Sequence, residues 1–331
     1  MKKVHLSSSL ILVARNASQH CPKILALKRS SQMKNFPKAL VFPGGHVDDA
    51  DEHIDWLSIV PSSERDVNLN ILRSEPLPPG RVPKAVSLRI TAIREAFEEC
   101  GILLCKKTES NDSLSLSSAD EKVWRKKIHN SASEFLNFCR HHQCFPDVKA
   151  LFLFSNWITP VNYPKRYNTM FFLTTIDREI DAVADEIETD CVEWRSAKDW
   201  VDDIGAFLFP PQIYELIKLE KFRELNDLKK FVHDVDSNGC QQFIPVMVKT
   251  TDGKISILPG DDRYEELFDE NALNEKEVKC DTLNFRSHVM HRIEFRKLPN
   301  STYERSVLIR NVDPAYYRSI KNIDTSTACK L

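Results

Sequence analysis

Three carboxylates crowd one short stretch, Arg94-Glu95-Ala96-Phe97-Glu98-Glu99-Cys100-Gly101. On a helix, Glu95, Glu98 and Glu99 fall at i, i+3 and i+4 on one face. Ile90, Ile93 and Phe97 form an apolar stripe on the opposite face. Like charges at that spacing repel by roughly 0.2–0.5 kcal/mol per pair. Gly101 stops the helix, so Glu98 and Glu99 also sit at the dipole end that disfavours anions. A lone Glu-Glu pair is usually a solvated helix face. Here three carboxylates stand where local energetics opposes them. A divalent cation would reverse that cost, because hard oxygen donors suit Mg²⁺ or Mn²⁺.

Upstream lies Phe42-Pro43-Gly44-Gly45, followed by His46-Val47-Asp48-Asp49-Ala50-Asp51. Glycines there permit close approach of backbone to a ligand phosphate. Together these pieces resemble the Nudix box: G, five residues, E, seven residues, then R-E-(apolar)-x-E-E-x-G-(apolar). Gly45 and Asp51 fit the first half, with Asp in place of Glu. Arg94 to Ile102 fit the second half at every fixed position. The spacing departs from the pattern, since 42 residues separate Asp51 from Arg94 where seven are usual. An insertion, residues 52–86, splits the box.

The elements that must carry these residues follow from periodicity. Leu10–Ala14 and Lys23–Leu27 read as a hairpin, and Leu40–Phe42 as a strand ending at the Pro-Gly-Gly loop. In the insertion, Ile54, Trp56, Leu57 and Ile59 suggest a short helix before a Pro-rich loop. Residues 87–100 form the acidic helix and 107–118 a polar loop. Residues 119–142 have helical spacing, with Val123, Ile128, Phe135, Leu136 and Cys139 on the buried side. His141-His142 reads as a helix end. Strands at Leu151–Trp157 and Met170–Ile176 flank the loop Thr159–Tyr167. Its two prolines, two cations and two aromatics suit either nucleotide binding or a rigid surface loop. An acidic loop, Asp185-Glu186-Ile187-Glu188, precedes Val192-Glu193-Trp194. A helix starts at Asp199, and a longer one runs from Phe209 to about Val232. Asp252-Gly253 marks a hairpin, and His291–Lys297 and Ser306–Arg310 add strands. The expected organisation is a Nudix domain over 1–232 with a helical segment at 105–150, a β-rich extension over 233–325, and a loose tail at 326–331.

The chain has 331 residues, 42% hydrophobic and 28% charged, and a net charge of −2. That is enough to bury a full core. It gives no strong overall attraction to nucleic acid or to an anionic membrane. No apolar run reaches the 18 or so residues of a membrane span. The start, Met1-Lys2-Lys3 and then Leu6–Ala14, faintly resembles a signal peptide, but three serines interrupt it and a first strand is the better reading. Nine cysteines are scattered and none forms C-x-x-C. That argues against a zinc site and against a disulfide framework, leaving free thiols in a reducing compartment.

Further segments resemble one branch of the Nudix family: Trp157-Ile158-Thr159-Pro160, Arg166 through Leu173, Leu208-Phe209-Pro210-Pro211-Gln212 and Leu258-Pro259-Gly260-Asp261. The branch is the nucleoside diphosphate-linked moiety X motif nineteen group, the peroxisomal coenzyme A diphosphatases, whose members carry an insertion at the same place. The likeness covers nearly the whole chain. It implies an α/β fold, the Nudix α/β/α sandwich around a mixed sheet, and hydrolysis of CoA or acyl-CoA to 3′,5′-ADP and 4′-phosphopantetheine or its acyl form. Some other coenzyme A diphosphatases have a longer basic motif ahead of the box, to which only Lys28-Arg29-Ser30 corresponds here. The resemblance further implies that Glu95, Glu98 and Glu99 hold Mg²⁺ or Mn²⁺, that the Gly45 carbonyl joins them, and that Arg94 orients a carboxylate. A loop glutamate, Glu188 with Glu186 as runner-up, would complete the site. At least one of two cation pairs, Lys28 and Arg29 or Lys165 and Arg166, is expected to meet the 3′-phosphate of CoA. Cys329-Lys330-Leu331 resembles the S-K-L class of peroxisomal address, read by an import receptor. Two other readings stand beside this one: a Nudix enzyme for NADH, ADP-ribose or capped RNA, and a catalytically silent Nudix binding module.

Overall fold

Both faces of the first strand are apolar. β1 (Val4–Ala14) buries Leu10 and Leu12 on one side and Ile11 and Val13 on the other. Such a strand belongs inside a sheet covered on both faces. The structure, a computed structural model, describes residues 3–15, 21–32, 37–67, 78–185, 187–203, 207–240, 242–298 and 303–312. After β1 come β2 (Lys23–Arg29), β3 (Ala39–Val41), β4 (Gly44–His46), α1 (Trp56–Ile59), α2 (Lys84–Cys100), β5 (Cys105–Lys107), α3 (Ser118–Asn130), α4 (Ser133–His141), β6 (Cys144–Pro146), β7 (Phe152–Ile158) and β8 (Arg166–Ile176). The chain continues through β9 (Thr189–Ser196), α5 (Ala197–Asp202), β10 (Phe207–Leu208), α6 (Pro210–Glu220), α7 (Leu225–Asn238), β11 (Gln242–Phe243), β12 (Val246–Lys249), β13 (Gly253–Ile257), α8 (Tyr264–Leu267), β14 (Lys276–Glu277), β15 (Met290–Lys297) and β16 (Tyr303–Arg310).

Nine strands form one mixed sheet in the order β10-β3-β2-β1-β8-β7-β11, with β4 on β1 and β9 on β2. β1 runs antiparallel to β2 and parallel to β8. Leu10, Leu12, Leu25 and Leu27 join a core around α2, α3 and α4. Ile11, Val13, Ile24 and Ala26 join a second core around α5, α6 and α7. This is the expected α/β/α sandwich. The three serines that interrupt the apolar run of β1 have a purpose: β4 docks on them, Ser7 opposite His46 and Ser9 opposite Gly44. Ser9 Oγ donates to the Pro43 carbonyl at 3.2 Å, and a Cβ on Gly44 would meet the Ser8 carbonyl oxygen at 2.3 Å. Only glycine allows the turn to lie that close.

Several expected boundaries shift. The helix expected over 119–142 is two helices, because Ser131 closes the first: its N–H reaches the Lys127 and Ile128 carbonyls. Val123, expected inside, is 52% exposed, and Trp124 takes the buried position. His141 is the last residue of α4, as read. The helix expected from Phe209 to Val232 is also two. α6 is buried nearly all round, while α7 buries only Leu225, Leu228, Val232 and Val235. The boundary placed after residue 232 therefore falls inside α7. The insertion holds the short helix α1 with Trp56 buried, and its residues 68–77 lie outside the described set.

The Asp252-Gly253 hairpin forms between β12 and β13 and belongs to a five-stranded sheet, β14-β12-β13-β15-β16. Ile293 of β15 and Val307 of β16 pack into the same core as α6 and α7. The β-rich extension thus completes a layer of the sandwich. Among the described residues, no helix is long and apolar enough to cross a membrane. The tail with Cys329, Lys330 and Leu331 lies outside the described residues, as does Glu186.

Candidate active site

α2 is not a surface helix. Ile90, Ile93 and Phe97 are fully buried, but Arg94 and Glu99 on the other side are also buried, at 4% and 6% exposure. The turn through β4 covers them. Gly101 ends the helix in the left-handed conformation, φ 73°, as the sequence indicated.

Arg94 is the hub. Its Nε and Nη2 donate to Asp51 Oδ1 and Oδ2, both at 2.9 Å, in a bidentate pair. Nη1 donates to Glu98 Oε1 at 2.6 Å and lies 2.9 Å from Glu95 Oε1. Nη2 also reaches the His46 carbonyl at 3.2 Å. Asp51 is fully buried and takes a further bond from Thr91 Oγ1 at 2.8 Å. The residue standing for Glu in the first half of the box is thus the anchor that rejoins the halves across the insertion. Its place in the motif was legible in the sequence. Its role as the partner of Arg94 was not, because 43 positions separate the two.

Two of the three glutamates, Glu95 and Glu99, meet β4 directly. Gly44 N–H donates to Glu99 Oε2 at 2.9 Å. A Cβ on Gly45 would lie 2.3 Å from Glu95 Oε1, so this carboxylate occupies the space a side chain would fill. Burial pushes the Glu95 carboxyl up to about 7, with Arg94 opposing and Glu98 and Asp51 adding. Burial likewise raises Glu98, opposed by Arg94. Glu99 is pushed well above the usual range by burial and by the charges of Glu95 and Glu188, while Gly44 N–H and Arg29 pull the other way. Arg94 faces three carboxylates, Asp51, Glu95 and Glu98, and Glu99 adds a fourth beside Glu95. An all-oxygen donor set with uncompensated negative charge fits a hard divalent cation.

The remaining expected residues divide. Glu188 precedes β9, its carbonyl accepts from Ser30 N–H at 2.7 Å, and its charge acts on Glu99. Arg29 acts on Glu99 too, and its Nε is buried with no hydrogen-bond partner among the described residues. Lys28 does not pair with it. Side chains alternate along a strand, so Lys28 faces away from α2, where its charge acts on Cys191 and Glu193. Lys165 is exposed at the other side of the site, 5.3 Å above the Tyr167 ring. Tyr167 stacks on His46 at 4.6 Å. Burial pulls the His46 imidazole down, and Lys165, His5 and Arg94 add to this. Arg166, expected to be exposed in a loop, is instead the first residue of β8 and 8% exposed, with its Nε on the Thr159 carbonyl at 3.0 Å. Strand pairing with Val4 takes its backbone out of the loop.

The cysteines correct another expectation. Those in the described residues are free thiols, as read. Three of them are not scattered: the sulfur atoms of Cys105, Cys139 and Cys144 lie within 4.8 Å of one another and all three residues are buried.

Residues 5–219 match the family described as the NUDT19 Nudix domain. The chain is 29% identical to the acyl-coenzyme A diphosphatase NUDT19 of Xenopus laevis, covering 94% of this chain and 93% of that one. It is 34% identical to the Gallus gallus protein of the same name, over 82% and 81%. It is 31% identical to the Homo sapiens one, over 82% and 80%. A Nudix hydrolase from Alicyclobacillus acidocaldarius shares the fold, with a TM-score of 0.56 at 19% identity over 70% of this chain and 97% of that one. Nudix hydrolases generally use divalent metal ions. With the split box closed by the Asp51–Arg94 pair and the family match running through it, the chain belongs to the NUDT19 group of Nudix hydrolases.

Proposed function

We propose that this chain hydrolyses the diphosphate bond of coenzyme A or acyl-CoA, giving 3′,5′-ADP and 4′-phosphopantetheine or its acyl form. The observation that carries the reading is the complete carboxylate set, Glu95 and Glu98 on Arg94 and Glu99 on Gly44 N–H, in a chain whose relatives are named acyl-CoA diphosphatases. Glu95, Glu98 and Glu99, with the Gly45 carbonyl, are the groups that would hold Mg²⁺ or Mn²⁺. When bound, such an ion neutralises diphosphate oxygens and lowers the pKa of a bound water. Arg94 holds Glu98 and Glu95 in place, and Gly44 N–H holds Glu99. Glu188 receives the proton of the water that attacks phosphorus. Arg29, with its free Nε, is the cation assigned to the 3′-phosphate, and Lys165 lies across the site for the rest of the substrate.

A panel of CoA, an acyl-CoA, dephospho-CoA, NADH, ADP-ribose and capped RNA, each with Mg²⁺ and with Mn²⁺, tests this. CoA or acyl-CoA should give the highest kcat/KM. A clear preference for NADH or ADP-ribose would overturn the substrate, and no turnover of any would favour a binding module. We also assign the chain to peroxisomes through Cys329-Lys330-Leu331. A reporter ending in Ser326 to Leu331 should enter peroxisomes and, lacking Leu331, stay in the cytosol. A diffuse reporter with the intact tail defeats that assignment.

A further inference from the structure

Behind the C-terminal end of α2 the chain makes a second, chemically different cluster. Cys105 lies in β5, Cys139 in α4 and Cys144 in β6, at 2%, 1% and 1% exposure. The three sulfur atoms all lie within 4.8 Å of one another. In a tetrahedral zinc–thiolate site the sulfurs lie about 3.8 Å apart, from Zn–S bonds of about 2.3 Å. The triangle here, within 4.8 Å, needs little closure to reach that. Cys139 and Cys144 bracket Arg140-His141-His142-Gln143, a spacing of four that belongs to structural zinc sites as much as the spacing of two does. Gln143, in the left-handed conformation at φ 50°, folds the chain back so that Cys144 returns to Cys139. His142 stands in this same turn. Its ring packs on Phe138 at 4.7 Å, and its Nε2 is buried with no hydrogen-bond partner among the described residues.

We propose that Cys105, Cys139 and Cys144 bind one zinc ion through their thiolates, with His142 Nε2 as the fourth donor. The thiol protons leave to water as the ion binds. Soft sulfur donors select zinc over the hard cations suited to the carboxylate cluster. His142 lies outside the 4.8 Å triangle, so its ring turns inward on binding. The site would clamp β5, β6 and α4 together directly beyond Gly101, where the acidic helix ends. It is structural, since all four ligands come from the protein.

The full chain, produced in cells supplied with zinc, should carry one zinc ion by elemental analysis. Cys139→Ser and Cys144→Ser should lose it. Cys21→Ser and the double variant Glu98→Gln/Glu99→Gln should keep it, which separates this site from the carboxylates. After chelation and addition of Co²⁺, the wild type should show thiolate-to-cobalt charge transfer and tetrahedral d–d bands. Chelator should lower the melting temperature of the wild type and not of Cys139→Ser. The wild-type measurements decide even where a serine variant fails to fold. A zinc-replete wild-type chain with no zinc and no cobalt spectrum overturns the site. So does zinc retained by both serine variants, or a disulfide between any two of the three cysteines found by mass spectrometry.

Discussion

Two buried arginine–aspartate pairs sit in different surroundings. In the extension, Arg292 and Asp261 are both fully buried and joined by two bonds, 2.7 Å and 2.6 Å. Asp261 also accepts His291 N–H at 2.9 Å. Burial keeps the His291 imidazole neutral, and a carbonyl can only accept, so Nδ1–H donates to Pro259 at 2.7 Å and Nε2 is left to accept the Tyr214 hydroxyl at 2.9 Å. One cation meets one anion, and the other groups bonded to the pair are the backbone of Arg263, His291 and Phe285 and the Ser287 hydroxyl. In the active site, Arg94 and Asp51 make an equally good pair, but Glu95 and Glu98 are added to it and Glu99 lies beside Glu95. A balanced buried pair holds structure. An unbalanced one raises carboxylate pKa values and creates a place for a cation.

The largest effect should come from breaking the balanced pair. Asp261→Ala strands a buried guanidinium and should cost about 3–5 kcal/mol in urea denaturation, while the folded fraction keeps its kcat. A loss of turnover without loss of stability would mean the extension acts on the site. The opposite pattern is expected at the unbalanced cluster. Glu98→Gln and Glu99→Gln should each lower kcat/KM by about a hundred- to a thousandfold, with no loss of stability in the absence of metal, since each removes crowded charge. Mg²⁺ should raise the melting temperature of the wild type and not of the double variant. Near-normal turnover in both single variants would remove the metal-site reading.

Substrate charge gives a smaller effect. Arg29→Ala should raise KM for CoA about ten- to a hundredfold more than for dephospho-CoA, the worth of a charge-assisted bond at roughly 1.5–3 kcal/mol. Lys28→Ala should not, because its side chain faces away from α2. Equal losses on both substrates for Arg29→Ala would sink this role. The smallest effect is a slope in pH. Folded Glu95 keeps its proton up to about 7, while the unfolded chain releases it near 4.5. Between these values the unfolded state binds fewer protons, so this group makes metal-free stability fall as pH rises. His291, which burial pulls down to about 4 from 6.5, works the other way: stability falls as pH drops through that window. Each contributes at most about 1.4 kcal/mol per pH unit. Glu95→Gln should therefore make stability rise more steeply with pH from 5 to 7, as should added Mg²⁺ in the wild type. Equal slopes in wild type and variant would show that Glu95 titrates normally.

Local patterns in the chain were enough for much of this. The continuous apolar run Leu10–Val13 marks a strand covered on both faces, and Gly101 marks the end of α2, because apolar patterning and backbone freedom are properties of neighbouring residues. The spacing of Arg94, Glu95, Glu98 and Glu99 places the site for the same reason. Where helices break was less legible, since Ser131 can cap or continue a helix and only packing of Trp124 in place of Val123 decides which face is inside. Fully tertiary were the contacts between distant positions: Asp51 on Arg94, Gly45 against Glu95, Glu188 and Arg29 beside Glu99, and Cys105 against Cys139 and Cys144. Residue types set which charges and thiols this chain owns. Strand register and loop closure decided which of them share one buried volume, and burial turns an ordinary carboxylate or thiol into a candidate ligand.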